Sequence, residues 1–301
     1  MRTVAVILSS TALSVMFAAP PGPSLNTVRI EELTGVKGSY NEKEGVFKVS
    51  VPRADLSITA AGVKITPALG LTSWASFKKA GQKTAVMGDM VLLEEQVNPV
   101  MSVALDNGLE VTALHNHFLG ESPRVMFMHI SGMGDEEKLA AAVGKVFSMI
   151  EVTARSKPET RQASIDPART TLDPKRIDTI LGQSGELKNG VYKITIGRET
   201  SMHGASMGAT MGVNTWAAFA GADDLAVVDG DFAMLEPELQ GVLKALRGAG
   251  IDIVAIHQHM AGETPRVLFL HYWGIGRTED LAKGLRLALD VTRASTKHGG
   301  S

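Results

Sequence analysis

The chain has 301 residues and a formal net charge of −2, and 44% of its residues are hydrophobic while 21% are charged. This composition is typical of folded globular proteins, and the length allows two domains of ordinary size. The sequence contains no cysteine and no long basic run, which excludes disulfides, thiolate metal sites and cysteine nucleophiles and disfavours nucleic acid as a partner.

The first segment in chain order has the pattern of a secretory signal. Arg2 precedes an apolar run over residues 4–19, and a proline-rich stretch at 20–23 follows it. The run is shorter than the roughly 20 apolar residues that a membrane-spanning helix needs. We therefore predict a signal peptide over residues 1–22, a periplasmic or secreted location, and no membrane span in the mature chain.

The rest of the sequence is an internal duplication. Three segments recur 142 positions later without a gap: LGLTSWASF (69–77), MGDMVLLE (87–94) and LEVTALHNHFLGESPRVMFMHISGMG (109–134). Such a constant offset indicates tandem copies of one domain. A polar segment with two prolines, predicted as a linker over 156–173 and followed by Pro174, separates a first domain (28–155) from a second (174–295).

Each copy is predicted to be an α+β domain. The expected strands of the first copy are 45–52, the segment around Trp74, 84–93, 109–118 and 124–131, and its expected helices are 96–106 and 135–153. The second copy repeats this order, with strands at 190–197, around Trp216 and at 225–235, and helices at 238–249 and 278–293. We therefore expect two antiparallel sheets, related by duplication, with helices packed on each.

Six of the eight histidines fall in two equivalent clusters. Two of them, separated by one residue, share a face of the predicted strand, a glutamate follows at the turn, and a third histidine lies on the return strand. The resulting candidate metal ligands are His115, His117, Glu121 and His129 in the first copy and His257, His259, Glu263 and His271 in the second.

This pattern favours a divalent metal site in each copy. Neutral imidazoles and a carboxylate are typical zinc ligands, with copper, manganese or iron as alternatives, and three protein ligands leave an open position. The whole set recurs although neighbouring positions change, for example from Asn116 to Gln258. Two other interpretations remain open: a pocket for an organic anion or sugar, lined by the histidines with Arg124 and Arg266, and a purely structural polar crevice.

The candidates for a catalytic role are Asp89, Asp231, Arg124 and Arg266. A carboxylate in the middle of a strand is costly unless it has a partner, so each aspartate is interpreted either as orienting a histidine or as lying on an exposed strand face. A metal-binding module and a metal-assisted hydrolase or lyase would use the same ligands, and they differ in whether a metal-bound water lies beside a general base. A third class, an envelope interaction protein, would leave the clusters exposed without a pocket.

The chain resembles the LppY/LpqO family of bacterial exported proteins in three motifs. These are VTALHNHFLGESPRVMFMHISG with its second copy, NTWAAFAG, and the VNPV that follows shortly after Glu94. The resemblance covers about 28–155 and 174–293. It implies an envelope location and a tandem-domain organisation, and it implies no particular reaction. Members of that family look like lipoproteins, and this chain departs from them by lacking the anchoring cysteine.

Overall fold

The computed structural model describes residues 24–155 and 162–298, so the predicted signal peptide (1–22) and the start of the linker lie outside the described residues. The elements of the first repeat are α1 (Thr27–Thr34), β1 (Gly38–Asn41), β2 (Val46–Pro52), β3 (Ile58–Ala60), β4 (Val63–Ile65), β5 (Thr72–Ala80), β6 (Lys83–Leu93), α2 (Glu94–Asp106), β7 (Glu110–His115), β8 (Glu121–Ser122), β9 (Val125–Gly134) and α3 (Glu136–Arg155). Those of the second are α4 (Pro174–Leu181), β10 (Glu186–Lys188), β11 (Val191–Gly197), β12 (Thr200–Met202), β13 (Ala205–Met207), β14 (Asn214–Gly221), β15 (Ala226–Leu235), α5 (Leu239–Gly248), β16 (Asp252–His257), β17 (Val267–Gly276) and α6 (Thr278–His298).

The two repeats share one antiparallel sheet of 12 strands. The strand order is β1-β2-β5-β6-β9-β7-β16-β17-β15-β14-β11-β10. The second repeat therefore contributes its equivalent strands in the reverse order, from the centre of the sheet to the far edge. The two halves meet where Leu114 of β7 pairs with Ile256 of β16. The predicted α+β fold with two duplicated antiparallel halves is therefore confirmed, and the halves are related by a pseudo-twofold axis at the centre of the sheet.

One face of the sheet carries the hydrophobic core. Alternate strand residues, such as Met90, Ile130 and Leu114, are buried in a single cluster with apolar residues from all six described helices. On α3 the buried positions include Leu139, Val143, Val146 and Ile150, a spacing of three to four residues that places one apolar stripe against the sheet. The helices therefore lie on one face, and we call the opposite side of the 12-stranded sheet the open face.

A small flap covers the end of the open face in each repeat. In the first, strands β3, β4 and β8 form a separate sheet, and Ile58 and Ile65 pack with Val91 and Phe127 of the main sheet. In the second, the flap is the β12–β13 hairpin, joined to the main domain by a bridge between Ser201 and Thr264. The centre of the open face, where the polar residues of the strands lie, is left uncovered by the described elements.

A reciprocal pair of amide side chains links the two halves of the sheet. Strand β7 has a register shift after Val111, and β16 has the equivalent shift after Ile253. The Gln240 amide accepts from Val111 N at 3.0 Å and donates to Val111 O at 2.9 Å. Asn98, the equivalent residue of the first repeat, accepts from Ile253 N at 2.8 Å and donates to Ile253 O at 3.3 Å. Each repeat thus satisfies the backbone groups that the bulge leaves unpaired in the other.

The described part of the predicted linker packs against the second repeat. Thr171 N and Leu172 N both donate to Gly221 O at the end of β14, and Leu172 is buried. Helix α4 then begins at Pro174, with Asp173 as its N-cap. No helix of the described ranges is both long enough and apolar enough to cross a membrane.

Candidate metal centre

A row of paired residues crosses the open face in each repeat. In the first, Trp74 of β5 pairs with Asp89 of β6, and Asp89 pairs with His129 of β9. Residues that pair directly in antiparallel strands project to the same face. The equivalent row in the second repeat is Trp216, Asp231 and His271. The sheet register therefore places an aspartate beside the third histidine of each predicted cluster.

The first histidine of each cluster joins this row from the central strands. Leu114 and Ile256 are buried on the helix side, so the residues that follow them, His115 and His257, project to the open face. Both clusters consequently lie on one face of one sheet. Their third histidines stand on β9 and β17, three strand spacings or about 14 Å apart.

The second histidine lies beyond the end of its strand. A strand over 109–118 was expected, but β7 ends at His115 because residues 116–124 leave the main sheet and contribute β8 to the flap. His117 is nevertheless held in place, since its ring stacks on Phe127 with 3.3 Å between centroids and lies 5.2 Å from the His115 ring. His259 stacks on Phe269 in the same way at 3.5 Å.

In the second repeat three side chains converge as possible metal ligands. Asp231, His257 and His259 each offer one ligand atom, and these atoms lie within 4.8 Å of one another. His257 Nε2 and His259 Nε2 are 3.1 Å apart, and they lie 3.9 Å and 3.2 Å from Asp231 Oδ2. His271 Nδ1 lies on the other side of the carboxylate, 4.0 Å from Asp231 Oδ1.

The first repeat uses the same residues in a different side-chain arrangement. His115 Nε2 and His129 Nε2 are 2.9 Å apart, and His129 Nδ1 lies 4.0 Å from Asp89 Oδ1. The aspartate–histidine distance is therefore the same in both copies. The pair of imidazole nitrogens in closest contact differs: it is His115–His129 here and His257–His259 in the second repeat.

Both aspartates are buried carboxylates without a cationic partner of their own. Asp89 and Asp231 are 8% and 3% exposed, and Oδ1 of each is buried without a hydrogen bond. Their ion-pair partners within the described residues are histidines only. Burial raises the pKa of both carboxyl groups above the ordinary value, against the opposing effect of the neighbouring imidazoles. A cation between the aspartate and the histidines would remove this cost.

Two of the histidines, His257 and His117, are by contrast held in the neutral form that metals require. Burial lowers the pKa of His257 to about 4, helped by the charges of His271 and His259. Burial also lowers the pKa of His117. A neutral imidazole presents a free nitrogen lone pair at neutral pH. Each cluster therefore combines a buried carboxylate that lacks a cation with one imidazole, His117 or His257, that resists protonation.

This environment predicts a pH dependence of folding in the metal-free protein. Because the pKa of His257 is about 4 in the folded state and about 6.5 in the unfolded state, protons bind the unfolded chain more tightly. Stability is then lost as pH falls from about 6.5 to about 4. Relative to a His257→Gln variant, the wild type should lose about 1–2 kcal/mol of unfolding free energy over this window, because water screens a side chain that is 29% exposed. Urea unfolding at several pH values measures this difference, and a difference that stays constant would contradict it.

The two glutamates predicted as ligands lie in the loop that leads to the return strand. Glu263 is 7% exposed, and its Oε1 accepts from Val267 N at 3.2 Å. Glu121 belongs to β8, where it pairs with Ala60 of the flap, and its Oε1 is buried without a partner. Neither glutamate belongs to the group of three converging ligands. The carboxylate in that group comes from the aspartate of the neighbouring strand instead.

The two arginines proposed for catalysis or anion binding lie in exposed ion pairs. Arg124 Nη1 is 3.2 Å from Glu94 Oε1, and Arg266 Nη1 is 3.9 Å from Glu236 Oε2. Both partners are more than half exposed in each pair. The pairs link the loop after the histidines to the start of α2 and to the short 3-10 turn Glu236–Glu238.

The family described as Domain of Unknown Function (DUF1259) matches residues 28–149 and 175–291 of the chain. No curated protein matches it. Among solved structures, the trimeric bacterial microcompartment shell protein PduB is 12% identical, with a TM-score of 0.20 over 87% of this chain and 93% of its own. The double-ringed trimeric shell protein MSM0271 from the RMM microcompartment is 12% identical, with a TM-score of 0.17 over 72% and 86%. Scores this low inform neither fold nor function.

Proposed function

We propose that this chain, which belongs through both of its repeats to the family described as Domain of Unknown Function (DUF1259), is an exported protein. Each repeat binds one divalent metal ion. The observation that carries the proposal is the convergence of Asp231, His257 and His259 on one point of the open face. The equivalent ligands of the first repeat are Asp89, His115 and His117, with His129 in contact with His115.

The spacing of the imidazole nitrogens supports a shared ion. Two nitrogens bound to one tetrahedral zinc at roughly 2.0–2.1 Å lie about 3.3 Å apart. The observed separation of His257 Nε2 and His259 Nε2, 3.1 Å, is within a few tenths of an ångström of that value. Two imidazoles this close share either one proton or one cation. The unpaired carboxylate beside them favours the cation.

The charges of the site support a divalent ion in particular. One buried carboxylate and neutral imidazoles leave a bound divalent cation with one net positive charge, so the ion offsets the desolvation of the aspartate. Zinc suits this combination of nitrogen and oxygen ligands best, and copper, manganese and iron accept it as well. Three protein ligands leave at least one coordination position for water or a further ligand.

We assign His129 and His271 a supporting role. In both repeats this histidine is the sheet partner of the aspartate, and its Nδ1 lies 4.0 Å from the aspartate Oδ1; His271 Nδ1 also lies 3.4 Å from Gly230 O. A neighbour at this distance orients the carboxylate through a small adjustment or a bridging water.

Export is proposed from the pattern of the first 22 residues, in which Arg2 precedes the apolar run 4–19.

Alanine variants of each histidine pair test the assignment to repeats. His115→Ala/His117→Ala and His257→Ala/His259→Ala should each lose one metal equivalent, since either change removes two ligands from a single site. Elemental analysis of the purified variants measures the loss, and circular dichroism checks the fold. His203→Ala is the matched control, because His203 lies at the turn of the flap hairpin and belongs to neither cluster. A variant that is destabilised but still holds both metal equivalents when folded would contradict the assignment and favour a structural role for the histidines.

A further inference from the structure

A second feature accompanies each proposed metal centre on the open face: a lysine held above a tryptophan. Lys48 Nζ lies 4.2 Å from the ring centroid of Trp74, and Lys193 Nζ lies 4.1 Å from that of Trp216. An ammonium group at this position is attracted by the face of the ring. The lysine is exposed and the tryptophan is half-buried in both repeats.

The lysine and tryptophan continue the row of the proposed metal ligands. Trp74 pairs with Asp89, which pairs with His129, and Lys48 stands on the next strand out. The tryptophan is therefore one strand from the aspartate and two from the histidine, which is about 5–10 Å. The ammonium group above its ring is within reach of a small molecule bound to the metal.

This row is unchanged between the repeats, although several of its neighbours on the same face are not. Lysine, tryptophan, aspartate and histidine occupy the four positions in both copies. On the same strands Ser76 corresponds to Ala218, Met87 to Asp229 and Ser131 to Trp273, whereas Phe127 and Phe269, on which site histidines stack, are the same. A strand surface that faces solvent does not need to keep the same four side chains in both copies for packing alone. The contrast indicates that the four side chains act together.

The charges of the row define the kind of ligand that it suits. The ion pairs of residues 24–155 and 162–298 do not include Lys48 or Lys193, so each ammonium charge is available. With a divalent ion bound, the metal and its aspartate carry one net positive charge, and the lysine adds another. Two positive centres about 5–10 Å apart complement a ligand with an oxyanion at each end.

We propose that each repeat binds a short organic dianion, with one oxyanion in the open coordination position of the metal and the other at Lys48 or Lys193. This inference rests on the proposed metal site and adds its ligand class. A four-carbon dicarboxylate has the required span, and its carbon chain would lie along the edge of the tryptophan. Asp229 is exposed on the same face of the second repeat, where the first has Met87. The first repeat should therefore bind the dianion more tightly.

The test compares succinate with butyrate, which has the same number of carbons but one carboxylate. Isothermal titration of both ligands into the zinc-loaded full-length protein should show a preference for succinate of about twofold to fivefold, the effect of one additional exposed ion pair. Lys48→Met/Lys193→Met should abolish this preference without changing the zinc content. Lys138→Met/Lys244→Met is the matched control, because these lysines lie on α3 and α5, on the other side of the sheet, and it should keep the preference.

The outcomes separate this inference from the proposed function. If the wild type holds zinc but binds succinate no better than butyrate, the dianion proposal is wrong and the metal site stands. The same conclusion follows if the Lys48→Met/Lys193→Met protein keeps the full preference. A wild type that takes up no zinc would overturn the metal site, and the dianion proposal with it.

Discussion

Replacement of Asp231 by asparagine is expected to stabilise the metal-free protein and to abolish metal binding in the second repeat. Asp231 is 3% exposed, its Oδ1 has no hydrogen-bond partner, and burial raises its pKa. At neutral pH the folded state therefore carries a buried charge that the isosteric amide removes. We expect a gain of about 1–2 kcal/mol in the unfolding free energy of the metal-free protein.

The effect on metal binding should have the opposite sign. Asparagine supplies no negative charge, so zinc affinity in the second repeat should fall by more than about 100-fold. Loss of a group that only orients a ligand lowers metal affinity by about 10–100-fold. Chemical denaturation with and without zinc measures both effects in one protein. Asp229→Asn is the matched control, because Asp229 lies on the same strand and is exposed, and it should change neither quantity. Destabilisation of the metal-free protein by Asp231→Asn would show that the carboxylate serves the fold.

Removal of either reciprocal amide at the centre of the sheet should destabilise the joined repeats. Gln240→Ala removes both hydrogen bonds to Val111, and Asn98→Ala removes both to Ile253. Each variant leaves a backbone N–H and C=O without partners at a bulge. We expect a loss of about 2–3 kcal/mol for each variant, measured by urea unfolding.

The double variant tests whether the two contacts act as a symmetric pair. Since they involve different backbone groups, the losses should add, to about 4–6 kcal/mol. Gln82→Ala is the control, because Gln82 is exposed in the turn between β5 and β6. A loss below about 0.5 kcal/mol in both single variants, the range of ordinary surface substitutions, would mean that water replaces the amides at no cost.

The duplication and the fold class were predictable from the sequence because they depend on local patterns. The constant offset of 142 residues and the alternating strands identified the two halves. The helices α1 and α4 were not predicted, although signals for them exist. Asn26 and Asp173 cap their N-termini, and Gly35 and Gly182 adopt the left-handed conformation at their C-termini. These eight-residue helices are too short for an apolar periodicity to stand out.

The sequence placed the histidines of the candidate site together and proposed Glu121 and Glu263 as their carboxylate partners because of proximity in the chain. The structure brings Asp231, and not Glu263, into the converging group. Glu121 follows His117 by four residues, whereas Asp89 precedes His115 by more than twenty. The register of β6 against β9 is what brings Asp89 beside His129. Strand order and register are set by contacts between distant residues, so no local spacing reveals them. The aspartate shared by the two copies was the available signal, and the sequence left open whether it orients a histidine or lies on an exposed strand face.

The metal content of the purified wild-type protein tests the central claim most directly. After dialysis against zinc at neutral pH and removal of unbound ion, elemental analysis should give two zinc ions per chain, one for each set of aspartate and histidines. The content should fall to one in the Asp231→Asn protein and to none when Asp89→Asn is added. A wild type that retains no zinc, copper, manganese or iron under these conditions would contradict the account.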